Sequence, residues 1–178
     1  MMGAGKTTLG RLLARELKYY FFDTDALVSQ LAGQSIAQIF ATDGEEAFRQ
    51  WETQVLAELS AHKNLVVATG GGSVLRRENW SYLHHGIVLW LDVPVEQLYA
   101  RLQEDRTRPL LQEGDPLAKL QALLKQRERL YAQADVRVVV TGGETPEELT
   151  QRAIQDIKQV LKPEVKGEGG RTHAWGEG

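Results

Sequence analysis

The stretch from Gly3 to Thr7, which reads Gly-Ala-Gly-Lys-Thr, constrains the fold of this chain more than any other feature. It matches the end of the phosphate-binding loop pattern G-x-x-x-x-G-K-[ST], in which backbone N–H groups converge on phosphate oxygens at a helix N-terminus. In that pattern the lysine neutralises the β- and γ-phosphates, and the hydroxyl ligates Mg²⁺. A helix is predicted to follow from near Thr8, with one apolar face formed by Leu9, Leu12, Leu13 and Leu17. A chance match at a flexible N-terminus is the alternative, and the helix argues against it.

The first glycine of this pattern would fall one residue before Met1, and the strand that normally precedes the loop would lie there too. In α/β folds that contain this loop, the preceding strand normally lies in the middle of a parallel sheet. Without it the neighbouring strands lose ladder partners, and each unpaired buried amide costs roughly 1–3 kcal/mol. The total stability of a domain is only about 5–15 kcal/mol. We therefore expect the fold to need residues upstream of Met1.

The rest of the chain alternates short apolar runs with longer helical patterns. The runs are mostly continuous and rich in β-branched or aromatic residues, as in strands buried on both faces; they lie at Tyr19–Phe22, Leu65–Ala68, Ile87–Leu91 and Val136–Val140. Helical spacing predicts further helices near residues 36–40, 48–59, 117–131 and 145–161, the last with Thr, Pro and Glu at its start. The alternation predicts a three-layer α/β fold, a parallel sheet flanked by helices, with its first, central strand missing from the given chain.

Composition narrows the functional class. The chain has 178 residues, of which 42% are hydrophobic, which suits one domain with a core. Its formal net charge of -3 favours neither a nucleic acid nor an acidic membrane as partner. The absence of cysteine excludes disulfides, thiolate metal sites and cysteine nucleophiles, and it fits a cytoplasmic location. Because no helix pattern carries an obvious second apolar face, we expect a monomer.

Two of the predicted strands are followed by residues suited to a functional site. Asp23 and Asp25 come after the first run, two residues apart, so both can point toward the C-terminal end of that strand. Capping of the next helix is the alternative for one of them, since Asp is a good cap. Gly70, Gly71 and Gly72 follow the second run, where glycine lets a substrate approach the backbone closely. A plain turn is the alternative for the glycines.

Two arginines lie in helical patterns. Arg127 follows Leu120 by seven residues and Leu124 by three, so it lies on the apolar stripe of its helix. A cation there must be paired or must face a cleft, and a buried ion pair with a protein carboxylate is the alternative to a binding role. Arg49 follows Phe48 at the edge of a helix face, and by itself this position predicts a solvated surface charge.

Taken in order, the motifs G-A-G-K-T, F-F-D-T-D, F-R at residues 48–49, A-T-G-G-G-S-V, R-T-R-P-L-L and Q-R-E-R-L-Y resemble shikimate kinase. The resemblance covers residues 1–161. It implies a small α/β P-loop kinase of the nucleoside-monophosphate-kinase type. Such an enzyme moves the γ-phosphate of ATP to the 3-hydroxyl of shikimate, on the route to chorismate and the aromatic amino acids. The implied partners are ATP and shikimate, and the implied cofactor is Mg²⁺.

The same resemblance assigns roles to individual residues. It places the ATP phosphates on consecutive residues of the loop: Gly3, Ala4, Gly5, Lys6, Thr7 and Thr8. It gives the metal to Thr7 and, through water, to Asp23. It implies that Asp25 holds the acceptor hydroxyl and takes its proton. The remaining shikimate contacts are Arg49, Gly71 and Arg127. Arg108 matches a lid arginine that closes over ATP, and the catalytic residues are Lys6, Asp25 and Arg108.

These assignments predict one kinase domain, residues 1–161, with a substrate-binding helical segment at about 26–60 and a lid at about 105–116. Residues 162–178 are rich in glycine and charge, and we expect them to be disordered. Two other functions stay open at this point. A related small P-loop kinase, for gluconate or a nucleoside monophosphate, would use a similar loop. A non-catalytic kinase-like protein would explain the truncated loop, although it has no reason to retain all the charged residues named above.

Overall fold

The computed structural model describes residues 1–103 and 115–161. Its helices within these ranges are α1 (Lys6–Leu17), α2 (Thr24–Ala32), α3 (Ile36–Thr42), α4 (Gly44–Ser60), α5 (Arg77–Leu83), α6 (Val95–Gln103), α7 (Pro116–Tyr131) and α8 (Pro146–Leu161). The predicted tail lies outside the described residues, and so does the predicted lid except for its last two residues. No helix in the described part of the chain combines the length and the apolar character that a membrane span requires.

Each predicted apolar run overlaps a strand, and two of the strands end one residue beyond their run. The strands are β1 (Tyr20–Asp23), β2 (Leu65–Ala68), β3 (Leu89–Asp92) and β4 (Val136–Val139). β1 pairs with β2 and β3 pairs with β4, both in parallel, as the alternation of strands and helices predicts. β3 begins at Leu89 rather than at the predicted Ile87, and the N–H of Val88 donates to the Asp135 carboxylate at 2.7 Å.

The described strands form two separate two-stranded sheets, where the sequence predicts one. Met1 is 7% exposed and belongs to the core cluster that contains Trp90 and Leu91 of β3. The Cα of Met1 also lies 3.4 Å from where a Cβ on Gly71, just after β2, would stand. The start of the described chain therefore packs in the same core as β3 and lies close to the turn after β2. An additional strand upstream of Met1 stays a prediction.

Helix α1 packs on β1, β2 and α8, so the phosphate-loop helix is part of the main core. Leu9 and Leu13 of its predicted apolar face are buried, and the other two leucines of that face are half-buried. Gly10 faces β1, where an added Cβ would stand 2.6 Å from the ring of Phe21. The glycine therefore allows the close approach of α1 to the strand that leads into the aspartates.

Helices α2, α3 and α4 form a second, smaller core. Its buried members are Val28, Ile39, Phe48 and Val55. These residues fall within the segment 26–60 to which the sequence assigns substrate binding, and they orient α4, which carries Arg49. The exposed fractions of Val28 and Ile39 are both 0%, so this small unit has a fully buried centre that holds the three helices together.

The predicted start of α8 is confirmed. The hydroxyl of Thr145 accepts from the N–H of Glu148 at 3.2 Å, while the Glu148 carboxylate accepts from the N–H of Thr145 at 2.8 Å. This reciprocal pair is the capping box that the Thr-Pro-Glu-Glu sequence predicts. Helices α5 and α6, with 7 and 9 described residues, were not predicted.

Candidate active site

The loop before α1 has the backbone that a phosphate-binding loop needs. Gly3 and Gly5 have φ angles of 70° and 89°, in the left-handed region that favours glycine. The N–H of Leu9 donates to the Gly5 oxygen at 2.9 Å, so α1 begins at Lys6, two residues before the predicted Thr8. The Lys6 ammonium donates to the Met1 oxygen at 2.7 Å. The N-terminal N–H groups of α1 are thus presented beside a lysine, as an anion site requires.

The two aspartates have different environments. Asp23 caps α2, because its carboxylate accepts from the N–H of Asp25 at 3.1 Å. Its other oxygen accepts from the hydroxyl of Thr7 at 2.8 Å, which joins the phosphate-loop helix to the end of β1. Asp25 lies in the first turn of α2 and is exposed. The capping alternative therefore holds for Asp23 without removing it from the site, and it does not apply to Asp25.

The residues predicted to bind the substrate that accepts the phosphate meet at the turn of Gly70, Gly71 and Gly72 after β2. A Cβ on Gly70 would stand 3.1 Å from the carboxylate of Asp25, and a Cβ on Gly72 would overlap the guanidinium of Arg49. The turn is also tied to α2, because the N–H of Gly70 donates to a Thr24 hydroxyl 3.1 Å away. These close approaches favour glycine at residues 70 and 72, beyond what a plain turn would require.

Arg127 reaches the same turn from α7. Its guanidinium donates to the Gly71 oxygen at 3.2 Å, and the hydroxyl of Tyr131 donates to that oxygen at 2.7 Å. The Nε of Arg127 is buried and has no hydrogen-bond partner. Burial raises the pKa of Tyr131, so this phenol stays a donor at neutral pH. Within the described residues Arg127 forms no ion pair, so the alternative of a buried pair with a protein carboxylate is not supported.

Arg49 is held by two carboxylates of its own helix. It donates to Glu52 at 2.8 Å and to Glu45 at 3.0 Å, and its side chain is only 13% exposed. The alternative of a solvated surface charge is therefore wrong. Burial by itself lowers the pKa of Arg49, but the hydrogen bonds to Glu52 and Glu45 outweigh it and raise that pKa, so the guanidinium remains charged.

Sequence reasoning missed Glu52, the carboxylate that orients Arg49. Its side chain is 0% exposed, and its second oxygen accepts from the hydroxyl of Ser73 at 2.5 Å. A signal was available, because Glu52 follows Phe48 by four residues and precedes Val55 by three, which places it on the buried stripe of α4. The argument that singled out Arg127 applies equally to a carboxylate in such a position.

A second missed residue, Arg101 of α6, lies beside the phosphate loop. Its Nη1 donates to the Ala4 oxygen at 3.3 Å and to the Gly3 oxygen at 3.4 Å. It lies 97 and 98 residues from those partners, so no local pattern could have linked them. The predicted lid arginine, Arg108, lies outside the described residues.

The oxygen atoms of Thr7 and Asp23 form the donor pair best suited to a metal. The two oxygens lie 2.8 Å apart. A hydroxyl and a carboxylate are hard oxygen ligands, which Mg²⁺ prefers, and protein-bound Mg²⁺ usually keeps phosphate and water among its other ligands. In the described part of the chain, no group of three or more His, Cys, Asp or Glu side chains could hold a metal by itself. The residues therefore fit a metal that arrives with a phosphate ligand.

Comparison with known proteins identifies the family. The family model for shikimate kinase matches residues 2–158. The shikimate kinase of Nostoc sp. is 60% identical over 162 residues, which cover 91% of this chain and 90% of that protein. The shikimate kinase of Synechococcus elongatus is 54% identical over 162 residues, covering 91% and 85%.

Solved structures agree with this result. The shikimate kinase from Acinetobacter baumannii in complex with shikimate is 42% identical, with a TM-score of 0.83 and 89% of each chain covered. The shikimate kinase from Aquifex aeolicus is 34% identical, with a TM-score of 0.78, covering 90% of this chain and 94% of that one. The predicted α/β P-loop kinase fold is thereby confirmed, and the chain belongs to the shikimate kinase family.

Proposed function

We propose that this chain transfers the γ-phosphate of ATP to the 3-hydroxyl of shikimate, giving shikimate 3-phosphate and ADP in the biosynthesis of aromatic amino acids. One observation carries the proposal. Asp25, Arg49 and Arg127 come from three different helices, and all three lie close to the turn at residues 70–72. That arrangement suits a hydroxyl acceptor that also bears a carboxylate, and family membership supports the same reaction.

The phosphates of ATP would bind to the N–H groups of Gly3–Thr8. Phosphoryl transfer needs positioning and charge neutralisation more than covalent chemistry. The ammonium of Lys6 supplies a positive charge at the start of α1, and the helix N-terminus adds to it. The resemblance adds Arg108 as a second positive charge over ATP.

Mg²⁺ would be held by the hydroxyl of Thr7, with Asp23 reaching it through water. When bound, the metal would supply charge neutralisation for the transferred phosphoryl group. The chain's own part is to keep the hydroxyl and the carboxylate adjacent, at 2.8 Å. The capping bond from Asp25 to Asp23 limits the rotation of that carboxylate.

On the acceptor side, Asp25 would accept a hydrogen bond from the reacting hydroxyl and take its proton. Arg49 and Arg127 would bind the carboxylate of shikimate, and the backbone of Gly71 would contact the ring. A planar guanidinium can bind a carboxylate through two bonds. The buried, unpartnered Nε of Arg127 supports this role, because a buried donor without a partner is costly until a ligand satisfies it.

The variant Asp25→Asn tests the assignment of the proton acceptor. Asn keeps the shape of the side chain but is not a base, so we expect turnover to fall by about 10²–10⁴-fold with ATP affinity unchanged. The measurement is shikimate-dependent ADP release, together with calorimetric titration of ATP. Asp43→Asn, an exposed aspartate before α4, is the matched control. Normal turnover in Asp25→Asn would reject the role of Asp25, and ADP release with gluconate but not shikimate would reject the acceptor.

The remaining sequence predictions belong to the same proposal. The chain would act in the cytoplasm as a monomer, with residues 1–161 as the kinase domain and residues 105–116 as a lid. Size-exclusion chromatography with light scattering tests the monomer, for which the expected mass is 19.9 kDa.

A further inference from the structure

A series of hydrogen bonds, all buried except the last, runs from Thr53 of α4 through Asn79 of α5 to the guanidinium of Arg49. The hydroxyl of Thr53 donates to the Asn79 side-chain oxygen at 2.8 Å, and the Asn79 amide donates to the backbone oxygen of Ser73 at 2.8 Å. The hydroxyl of Ser73 donates to one oxygen of Glu52 at 2.5 Å, and Arg49 donates to the other at 2.8 Å. Thr53 is 8% exposed, and Asn79, Ser73 and Glu52, which complete this network, are 0% exposed. The three buried bonds form away from water, where losing a partner is costly.

This arrangement leaves the Glu52 carboxylate little freedom to turn. Its two oxygens are held by different elements, and the backbone of Gly70 packs so closely that a Cβ there would stand 2.7 Å from Oε1. Asn79 holds the backbone of Ser73, which keeps the Ser73 hydroxyl directed at Glu52. The direction of Arg49 therefore depends on α5, a helix that contains none of the predicted site residues.

We propose that Asn79 is a positioning residue for acceptor binding. By holding Ser73 it holds Glu52, and it so fixes the direction in which Arg49 presents its guanidinium to the acceptor carboxylate. This inference rests on the role proposed above for Arg49. Two-point binding of a carboxylate requires a correctly oriented guanidinium plane, and supporting contacts must hold such groups to within roughly 0.5 Å.

Two variants interrupt the network at different points. Ser73→Ala removes only the hydroxyl that binds Glu52. Asn79→Leu removes both hydrogen bonds of the Asn79 side chain and keeps a similar shape. Each is made alone and in an Arg49→Met background, and the dissociation constants of shikimate and ATP are measured by calorimetry. We expect each single variant to raise the dissociation constant of shikimate roughly 5- to 10-fold and to leave the dissociation constant of ATP unchanged. Ser81→Ala, an exposed serine of α5, is the control and keeps both constants.

The Arg49→Met background separates positioning from a general loss of structure. If the network acts through Arg49, its effect on shikimate affinity falls to a factor of about one once the guanidinium is gone. The same 5- to 10-fold effect in both backgrounds, or an equal loss of ATP affinity, overturns the inference. Normal shikimate binding by Arg49→Met alone shows instead that the proposed role of Arg49 is wrong. If Asn79→Leu does not fold, Thr53→Val, which removes only the hydroxyl that donates to the Asn79 side chain, tests the role of Asn79 by the same measurements.

Discussion

Replacing Arg127 with alanine removes a guanidinium whose Nη1 donates to the Gly71 oxygen and whose buried Nε has no hydrogen-bond partner. The guanidinium makes no other hydrogen bond to a described residue, so its remaining donors are available to a ligand carboxylate. A hydrogen bond to a charged group contributes about 1.5–3 kcal/mol, so the loss of two costs at least about 3 kcal/mol. Since about 1.4 kcal/mol is a factor of ten, we expect the dissociation constant of shikimate to rise roughly 100-fold. Arg49 remains, so binding is weakened rather than abolished.

The measurement is calorimetric titration of shikimate and, separately, of ATP, with thermal unfolding recorded for each variant. The hydroxyl of Tyr131 still binds the Gly71 oxygen at 2.7 Å, so the turn keeps an anchor and the unfolding midpoint changes little. Arg129→Ala, an exposed arginine two residues further along α7, is the matched control and binds shikimate normally. A normal shikimate affinity in Arg127→Ala, in protein that unfolds at the usual temperature, would refute the reasoning.

Three further predictions follow from single contacts. Gly72→Ala places a Cβ on the Arg49 guanidinium, so calorimetry should show weaker shikimate binding with ATP affinity retained; equal affinity for shikimate would contradict this. Thr7→Val removes the hydroxyl proposed for Mg²⁺, so the magnesium concentration for half-maximal ADP release should rise, and an unchanged magnesium curve would count against that role. Hydrogen bonds from the N–H and hydroxyl of Thr145 lower the pKa of Glu148, so this carboxylate stabilises the fold above its ordinary pKa and loses that effect as pH falls through the lowered value. Glu148→Gln should therefore show a shallower loss of thermal stability below about pH 4 than the parent, and identical acid profiles would contradict it.

The sequence was most informative where a function rests on neighbouring residues. The glycines of the phosphate loop, Lys6 and Thr7 are contiguous, and the helix that they open is amphipathic, so sequence order already places donors at a helix start. The capping box before α8 is local in the same way. The parallel pairing of the strands also followed from sequence, because short buried runs separated by helices leave few other arrangements.

The sequence was least informative where contacts join distant segments. It placed Arg127 on a buried stripe, but could not show that its partner is the Gly71 oxygen, 56 residues away. The position of Arg49 in its helix predicted a surface charge, and only the family resemblance indicated a binding role. The burial of one helix edge depends on which elements pack there. Arg101, beside the phosphate loop, was missed for the same reason.

What the sequence by itself determined about this protein is its family, its α/β class and the residue types available for phosphate, metal and acceptor binding. These follow from motifs whose chemistry is carried by residues next to one another or in a fixed order. Only the tertiary structure decided that Asp25, Arg49 and Arg127 meet at one glycine turn. It also decided that Glu52, which binds Arg49, is itself held by the hydroxyl of Ser73. Helical periodicity identifies which face of a helix is buried, whereas the partner of that face is set by packing between segments far apart in the chain.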